Sequence, residues 1–149
     1  MTFRFTVFCA LLVSALVAHA DEPTIGYVKT VSGTATVTTD NMRVVAKPGT
    51  PVFLGSQLKT GPQSSLGVTF QDETILSFGP GSELTVDEYL YAPDKGKFKL
   101  VASLLKGSLN YVSGLIAKLQ PDAVSVKTPS GIIGVRGTQF VVKVDGSAP

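Results

Sequence analysis

The sequence contains little of the chemistry on which most enzymes depend. Its 149 residues include one cysteine, one histidine and no tryptophan, and the first two are Cys9 and His19, close to the N terminus. Once the N-terminal segment is removed, neither remains. A disulfide, a thiolate nucleophile, a Ser-His-Asp triad and a His/Cys zinc site are then all excluded. We therefore predict a protein that has no catalytic residues and no cofactor or metal.

The sequence also lacks a large excess of charge of either sign. Lys and Arg together number 13, Asp and Glu number 11, and no basic run occurs. A balance of this kind argues against nucleic acid or an anionic membrane surface as the main partner.

The first twenty residues have the three parts of an export signal. Arg4 precedes an apolar stretch from Phe5 to Val17, which ends at the small-x-small sequence Ala18-His19-Ala20. No later stretch approaches the roughly 20 apolar residues that a membrane span needs. We predict cleavage directly after the signal, so that residues 21–149 form one domain, exported to the periplasm and without a membrane span.

The remaining sequence has the alternation of apolar and polar residues that is typical of β-strands. Two hairpins are predicted: Thr34 to Thr38 with Met42 to Val45, and Leu66 to Phe70 with Thr74 to Phe78. A helical turn fits only Leu104 to Lys106 and Gly114 to Leu119. The predicted fold class is therefore all-β.

A short motif recurs with constant spacing. Gly55-Ser56, Gly81-Ser82 and Gly107-Ser108 begin 26 residues apart. Turn and strand units repeating at such a period indicate stacked coils, with the three glycines at equivalent corners, although Gly-Ser is also ordinary turn chemistry that recurs by chance. We predict a short β-solenoid or a rolled β-sheet, with a two-sheet β-sandwich as the alternative.

Two pairs of side chains are candidates for a surface site. Tyr89 and Tyr91 lie two residues apart, so they share one face of a strand. They are either core or cross-strand aromatics, or a platform for a sugar or a peptide. Asp72 and Glu73 are the nearest approach to a paired acid, and we interpret them as solvated turn residues rather than as a catalytic pair.

The C-terminal part, from Val124 to Val144, is interpreted as two strands around a glycine-rich turn. Its second strand, Gln139 to Val144, is almost continuously apolar, which indicates a strand covered on both faces. Arg136 lies in the turn between Gly134 and Gly137-Thr138. Its guanidinium is either structural, bonded to loop carbonyls or a buried carboxylate, or it forms with these neighbours a site for an anion or a partner.

This segment carries a family resemblance. Lys127-Thr128-Pro129, followed by Gly134-Val135-Arg136-Gly137-Thr138-Gln139-Phe140, closely resembles the C-terminal signature of FecR-family domains, and the resemblance extends over about Gly26 to Val144. In that family an all-β periplasmic module passes a signal from a loaded outer-membrane receptor to a cytoplasmic anti-sigma segment. Because the predicted export signal begins at residue 1, we expect no such segment in this protein.

The resemblance therefore implies a stand-alone exported module that binds another periplasmic or envelope protein. The alternative function is a carbohydrate or envelope-polymer binding module that uses Tyr89 and Tyr91. Glu73 stands where FecR domains have the glycine of an Asp-Gly turn, so a positive φ there would cost roughly 1 kcal/mol.

The strand matching Gln139 to Val144 is usually followed by further β structure in FecR-like domains. Here Asp145-Gly146 predicts a turn and the sequence ends at Pro149. An apolar strand with an unpaired edge is seldom left bare. Unless this strand is internal, we predict that Gln139 to Val144 mediates homodimerisation or captures a partner by strand addition.

Overall fold

The computed structural model of the protein describes residues 23–135 and 137–145. The predicted export signal and Arg136 lie outside these residues. Within the described residues, no helix has the length and apolar content that crossing a bilayer requires.

Most of the described chain is extended, and its one α-helix is short. The strands are β1 (Gly26–Ser32), β2 (Ala35–Thr39), β3 (Met42–Val45), β4 (Pro51–Val52), β5 (Gln57–Thr60), β6 (Ser65–Phe70), β7 (Ile75–Phe78), β8 (Glu83–Ala92), β9 (Lys97–Val112), β10 (Val124–Thr128), β11 (Gly131–Gly134) and β12 (Gln139–Val144). The helix α1 is Leu115–Leu119, and 3₁₀ turns cover Pro93–Lys95 and Pro121–Ala123. The predicted hairpins and the helical turn before Pro121 are confirmed, whereas Leu104 to Lys106 belong to β9.

The twelve strands form one sheet that curls into a half-barrel. Along the sheet the order is β3-β2-β5-β8-β9-β7-β6-β1-β4, while β10 and β12 also pair with β9, and β11 pairs with β10. The all-β prediction is confirmed, and of the architectures considered the fold is the rolled sheet. Stacked coils would set equivalent strands parallel, but β5 and β8 pair antiparallel, with Leu58 opposite Leu84.

The long strand β9 is the axis of this sheet. Its first part, up to Lys106, pairs with β8, and its residues 100–103 also pair in parallel with β10. Its last residues pair with β12 on one side and with β7 on the other. Gly107 lies where the neighbours change, with a φ of 89°, and a Cβ there would overlap Ser82. The positive φ and the close approach of Ser82 therefore both require glycine at this position.

The three glycines spaced by 26 residues share a positive φ but not a structural position. Gly55 and Gly81 lie in turns directly before β5 and β8, with φ of 82° and 60°. Gly107 lies inside β9. The motif thus marks two turns that precede strands and one position inside a strand.

The core lies on the concave side of the sheet, where alternate residues of strands such as β5 and β7 are buried. On β6 and β7 the register places Leu66 opposite Phe78 and Val68 opposite Leu76, all four buried. On β9 the buried positions continue with Leu109 and Tyr111, and α1 contributes Ile116.

The C-terminal segment differs from its predicted form. Residues 131–134 are a strand of their own that pairs with β10, so three strands take the place of the predicted two. The prediction that β12 is covered on both faces is wrong, because Val142 is buried while Gln139, Val141 and Lys143 are exposed. The sequence of β12 is almost continuously apolar because Val141, which lies on the outer face, is apolar like its core-facing neighbours.

Gly114, the N-cap of α1, provides a test of the packing. A Cβ at this position would overlap the main chain of residues 72–74. We expect Gly114→Ala to lower the free energy of unfolding in urea by about 3 kcal/mol, because backbone must move to admit the methyl group. Gly134→Ala is the control, since a Cβ there meets open space, and it should change stability by less than about 0.5 kcal/mol. Equal losses in both variants would contradict this packing.

Candidate functional site

The β2–β3 hairpin forms one wall of an open cleft. Its two-residue turn is Asp40-Asn41, with φ of 49° and 64°, a conformation that Asp and Asn tolerate and that suits a tight hairpin. The register places Val44 opposite the buried Val37, so Met42 and Val44 face the concave side. Because β3 is the last strand of the sheet, these two side chains remain 72% and 48% exposed.

The opposite wall comes from the other end of the sheet, around β4. Between the two walls lies a cavity of about 580 Å³. Its lining residues are Thr24, Val37, Thr39, Asp40, Met42, Val44, Thr50, Pro51 and Phe53. The chain between β3 and β4 is fixed to the sheet by main-chain bonds: Ala46 N donates to Ala35 O and Val28 N donates to Thr50 O, both at 2.9 Å. These main-chain hydrogen bonds therefore hold the two walls of the cleft apart.

The chemistry of this cleft is that of a binding site. Five of its side chains are apolar, three are threonines, and Asp40 is its one ionisable group. Apolar walls with a few polar groups suit the side chains of a bound segment. In the described residues, no group of three or more His, Cys, Asp or Glu side chains is placed to hold a metal.

The edge of β3 beside the cleft has free main-chain groups. The bond from Ala46 N to Ala35 O, together with the antiparallel register, fixes which residues of β3 bond to β2. Bonded pairs alternate along an antiparallel ladder, so Met42 and Val44 bond to β2, while the N–H and C=O groups of Arg43 and Val45 point away from it. Among the described residues, β3 pairs with β2 alone.

A buried carboxylate organises the turn between β6 and β7. Asp72 is 0% exposed. Its carboxylate accepts hydrogen bonds from Thr74 Oγ1 (2.6 Å), Tyr89 Oη (2.9 Å) and Ile116 N (3.1 Å). Its carbonyl accepts one from Leu115 N at 2.7 Å. The interpretation of Asp72 as a solvated turn residue is wrong, because this side chain joins the β6–β7 turn, β8 and α1.

Glu73, next in this turn, has a φ of 70°. The glycine of the Asp-Gly turn was expected to need a positive φ. Glu73 adopts such a φ at a cost of roughly 1 kcal/mol, because it has a Cβ. The side chain of Glu73 is exposed, in contrast to that of Asp72.

Tyr89 and Tyr91 do share one face of β8, as predicted, but their environments differ. The Tyr89 ring stacks on Phe70 with centroids 5.3 Å apart, and its hydroxyl accepts from Asp72 N at 3.0 Å while donating to the carboxylate. Burial, and then the Asp72 charge, raise the pKa of Tyr89 far above its ordinary value. Tyr91 packs against Phe98 with centroids 6.2 Å apart. A platform formed by the two tyrosines stays a prediction.

Gly137 and Thr138 of the C-terminal signature lie beside the end of β9, whereas Gly134 is the last residue of β11. Ser113 N donates to Thr138 O at 2.8 Å, and Ser113 Oγ donates to Gly137 O at 2.9 Å. Gly137 has a φ of 101°, and Gly134 pairs with Ser125 in the β10–β11 hairpin. Because Arg136 lies outside the described residues, its structural and functional interpretations both stay open.

Sequence reasoning did not identify the cleft. The sequence of β3, Met-Arg-Val-Val, has three apolar residues in four, and this was the one indication of an apolar surface there. In the structure all four positions are exposed. The alternating pattern predicts that Met42 and Val44 share one face of the strand. Their exposure on the concave side can be inferred only when the position of β3 at the end of the sheet is known.

Comparison with known proteins identifies the class of this all-β module. The family model described as FecR protein matches residues 56–149, more than half of the chain. The chain belongs to the FecR family, a family of regulatory and signalling domains. Neither the curated proteins nor the solved structures contain a match. The residues that line the cleft all precede the matched region.

The Asp72 network predicts unequal effects of removing the two tyrosine hydroxyls. Tyr89→Phe removes one of the three donors to the carboxylate and leaves Asp72 N without its partner, so we expect a loss of about 2 kcal/mol in the free energy of unfolding. Tyr91→Phe is the matched control, because the Tyr91 hydroxyl bonds to no other described residue, and it should be nearly neutral. Equal unfolding midpoints in urea for Tyr89→Phe and wild type would contradict the network.

The raised pKa of Tyr89 also predicts a loss of stability at high pH. Above its ordinary pKa of 10.0, the unfolded chain releases the Tyr89 proton while the folded protein retains it. The stabilisation is therefore complete below pH 10 and declines as the pH rises, by about 1.4 kcal/mol per pH unit for one group. Tyr89→Phe should show a shallower decline in urea titrations between pH 10 and 11. Burial also raises the pKa of Tyr111, but this contribution is the same in both proteins.

Proposed function

We propose that the protein is an exported, non-enzymatic signalling module that binds an extended segment of another periplasmic or envelope protein in the cleft. The observation that carries this proposal is the exposure of Met42 and Val44 on the concave side, where the equivalent residues of neighbouring strands form the core. Membership of a regulatory and signalling family supports the signalling part. The predicted signal at residues 1–20, and the periplasmic setting typical of FecR domains, support export.

The edge of β3 supports strand addition as the way in which the segment binds. A segment alongside β3 would bond to the outward main-chain groups of Arg43 and Val45. Its alternate side chains would then lie over Met42 and Val44 and enter the cleft. On the outer face a carboxylate next to Arg43 would give a favourable ion pair. The expected ligand is therefore an extended segment with alternating apolar residues and an acidic side chain on its polar face.

A photo-crosslinking experiment tests this site. Benzoylphenylalanine is introduced at Val44, or at Leu105 as control, in the full chain expressed in the cells that naturally make it. Both side chains are 48% exposed, and Leu105 does not line the cleft. We expect a discrete protein adduct from position 44 alone. Arg43→Glu should reduce its yield about tenfold, corresponding to about 1.4 kcal/mol, whereas Lys106→Glu, a charge reversal on β9, should not.

Adducts of equal yield at both positions, or an adduct unaffected by Arg43→Glu, would contradict binding at β3. Retention of the protein on peptidoglycan or polysaccharide, lost in Tyr91→Ala, would instead favour the carbohydrate-binding alternative. Circular dichroism of each variant verifies that the fold is retained.

A further inference from the structure

The strand β12 has one paired edge and one free edge. All six of its residues pair with β9, from Gln139 opposite Val112 to Val144 opposite Gly107. Among the described residues, β12 has no second strand partner. It is also the longest of the strands paired on one side only, since β3 and β11 have four residues each.

Hydrogen bonds at the two ends of the ladder fix which groups of β12 are free. Ser113 N donates to Thr138 O on the β12 side of β9. Ser108 O, an odd number of residues away, accepts from Gly79 N on the opposite side, where β7 lies. Because the direction alternates at every residue, Phe140, Val142 and Val144 bond to β9. The N–H and C=O groups of Gln139, Val141 and Lys143 therefore point to the free edge.

The other terminal strands are less suited to pairing. β4 has two residues, of which Pro51 cannot donate, and β11 begins and ends with glycine. The outer face of β3 carries Arg43, which would face a like charge or an apolar neighbour in most self-pairings. β12 combines length, β-branched residues and the 70% exposed side chain of Val141.

We propose that β12 pairs antiparallel with β12 of a second copy of this chain, about a twofold axis that passes beside Val141. In this register Val141 exchanges main-chain hydrogen bonds with Val141 of the second copy, and Gln139 does so with Lys143. These are the three residues of β12 whose main-chain groups point away from β9. The proposal does not rest on the proposed function, which uses β3.

Side chains in this register are complementary on both faces. On the outer face Val141 meets its own copy, and Lys143 meets the uncharged Gln139, so no like charges are opposed. On the concave face the half-buried Phe140, whose ring stacks on Tyr111 with centroids 4.8 Å apart, meets Val142 of the copy. A shift of one residue would bring outward-facing side chains opposite core-facing ones, which disfavours that alternative. The strand is thus self-complementary, which a closed twofold interface requires.

Cysteine crosslinking tests both the interface and its register. Cys9 is the one native cysteine, so the full chain carries Cys9→Ser as background. Opposed residues of a hydrogen-bonded antiparallel pair have Cα atoms about 5.5 Å apart, within the roughly 4.4–6.8 Å that a disulfide spans. We expect Val141→Cys to form a covalent dimer on mild oxidation. Lys143→Cys alone should not do so, but together with Gln139→Cys it should.

Val45→Cys is the matched control, because Val45 is an exposed valine (65%) whose main-chain groups also face a free edge. Crosslinking of Val45→Cys as efficient as that of Val141→Cys would overturn the proposal. Crosslinking of Lys143→Cys alone would overturn the register.

Proline substitution distinguishes the free edge from the paired one. Val141→Pro removes an N–H that faces away from β9, so the internal ladder is retained while the outer face loses its central donor. Light scattering should give twice the chain mass for wild type and a single chain mass for Val141→Pro, with unchanged circular dichroism. Val142→Pro removes a donor to β9 and should instead unfold the protein. A monomeric wild type, or a Val141→Pro protein that remains dimeric, would overturn the proposal.

Discussion

The fold depends on the burial of the Asp72 carboxylate. A charge removed from water costs several kcal/mol unless donors surround it, and here the donors come from three places far apart in sequence: Thr74 in the same turn, Tyr89 on β8 and Ile116 N at the start of α1. None of these elements satisfies the carboxylate alone. The turn, the strand and the helix must therefore assemble together, which couples the two halves of the half-barrel.

The same constraint explains two local departures from favourable backbone chemistry. Glu73 adopts a positive φ because the turn has to direct Asp72 inward and the next residue outward. Gly114 lies against the main chain of residues 72–74 because the N–H groups of α1 must reach Asp72. Both positions are costly or restrictive when considered alone. The burial of the Asp72 carboxylate explains both of them.

Local periodicity predicted most of the strands and the short helix, but it predicted neither β11 nor the arrangement of the strands. The β2–β3 hairpin could be predicted because the alternation and the Asp40-Asn41 turn lie within twelve residues. The burial of Asp72 could not, because Ile116 lies 44 residues away. The 26-residue spacing suggested stacked coils, whereas Gly107 lies inside β9, where the strand partners of β9 change. The C-terminal signature predicted the family, but the cleft depends on which strand ends the sheet.

The pairing of β9 accounts for both candidate binding surfaces. This strand supports β8 and β7 along the main order of the sheet, and in addition β10 and β12. The sheet consequently branches at β9 while its ends, β3 and β4, remain apart and leave the cleft between them. Along that order β12 is separated from β3 by β9, β8, β5 and β2, so the two proposed surfaces use different strands. A dimer formed through β12 would present two clefts related by the twofold axis. Two linked clefts would bind a multivalent partner with a higher effective affinity than one.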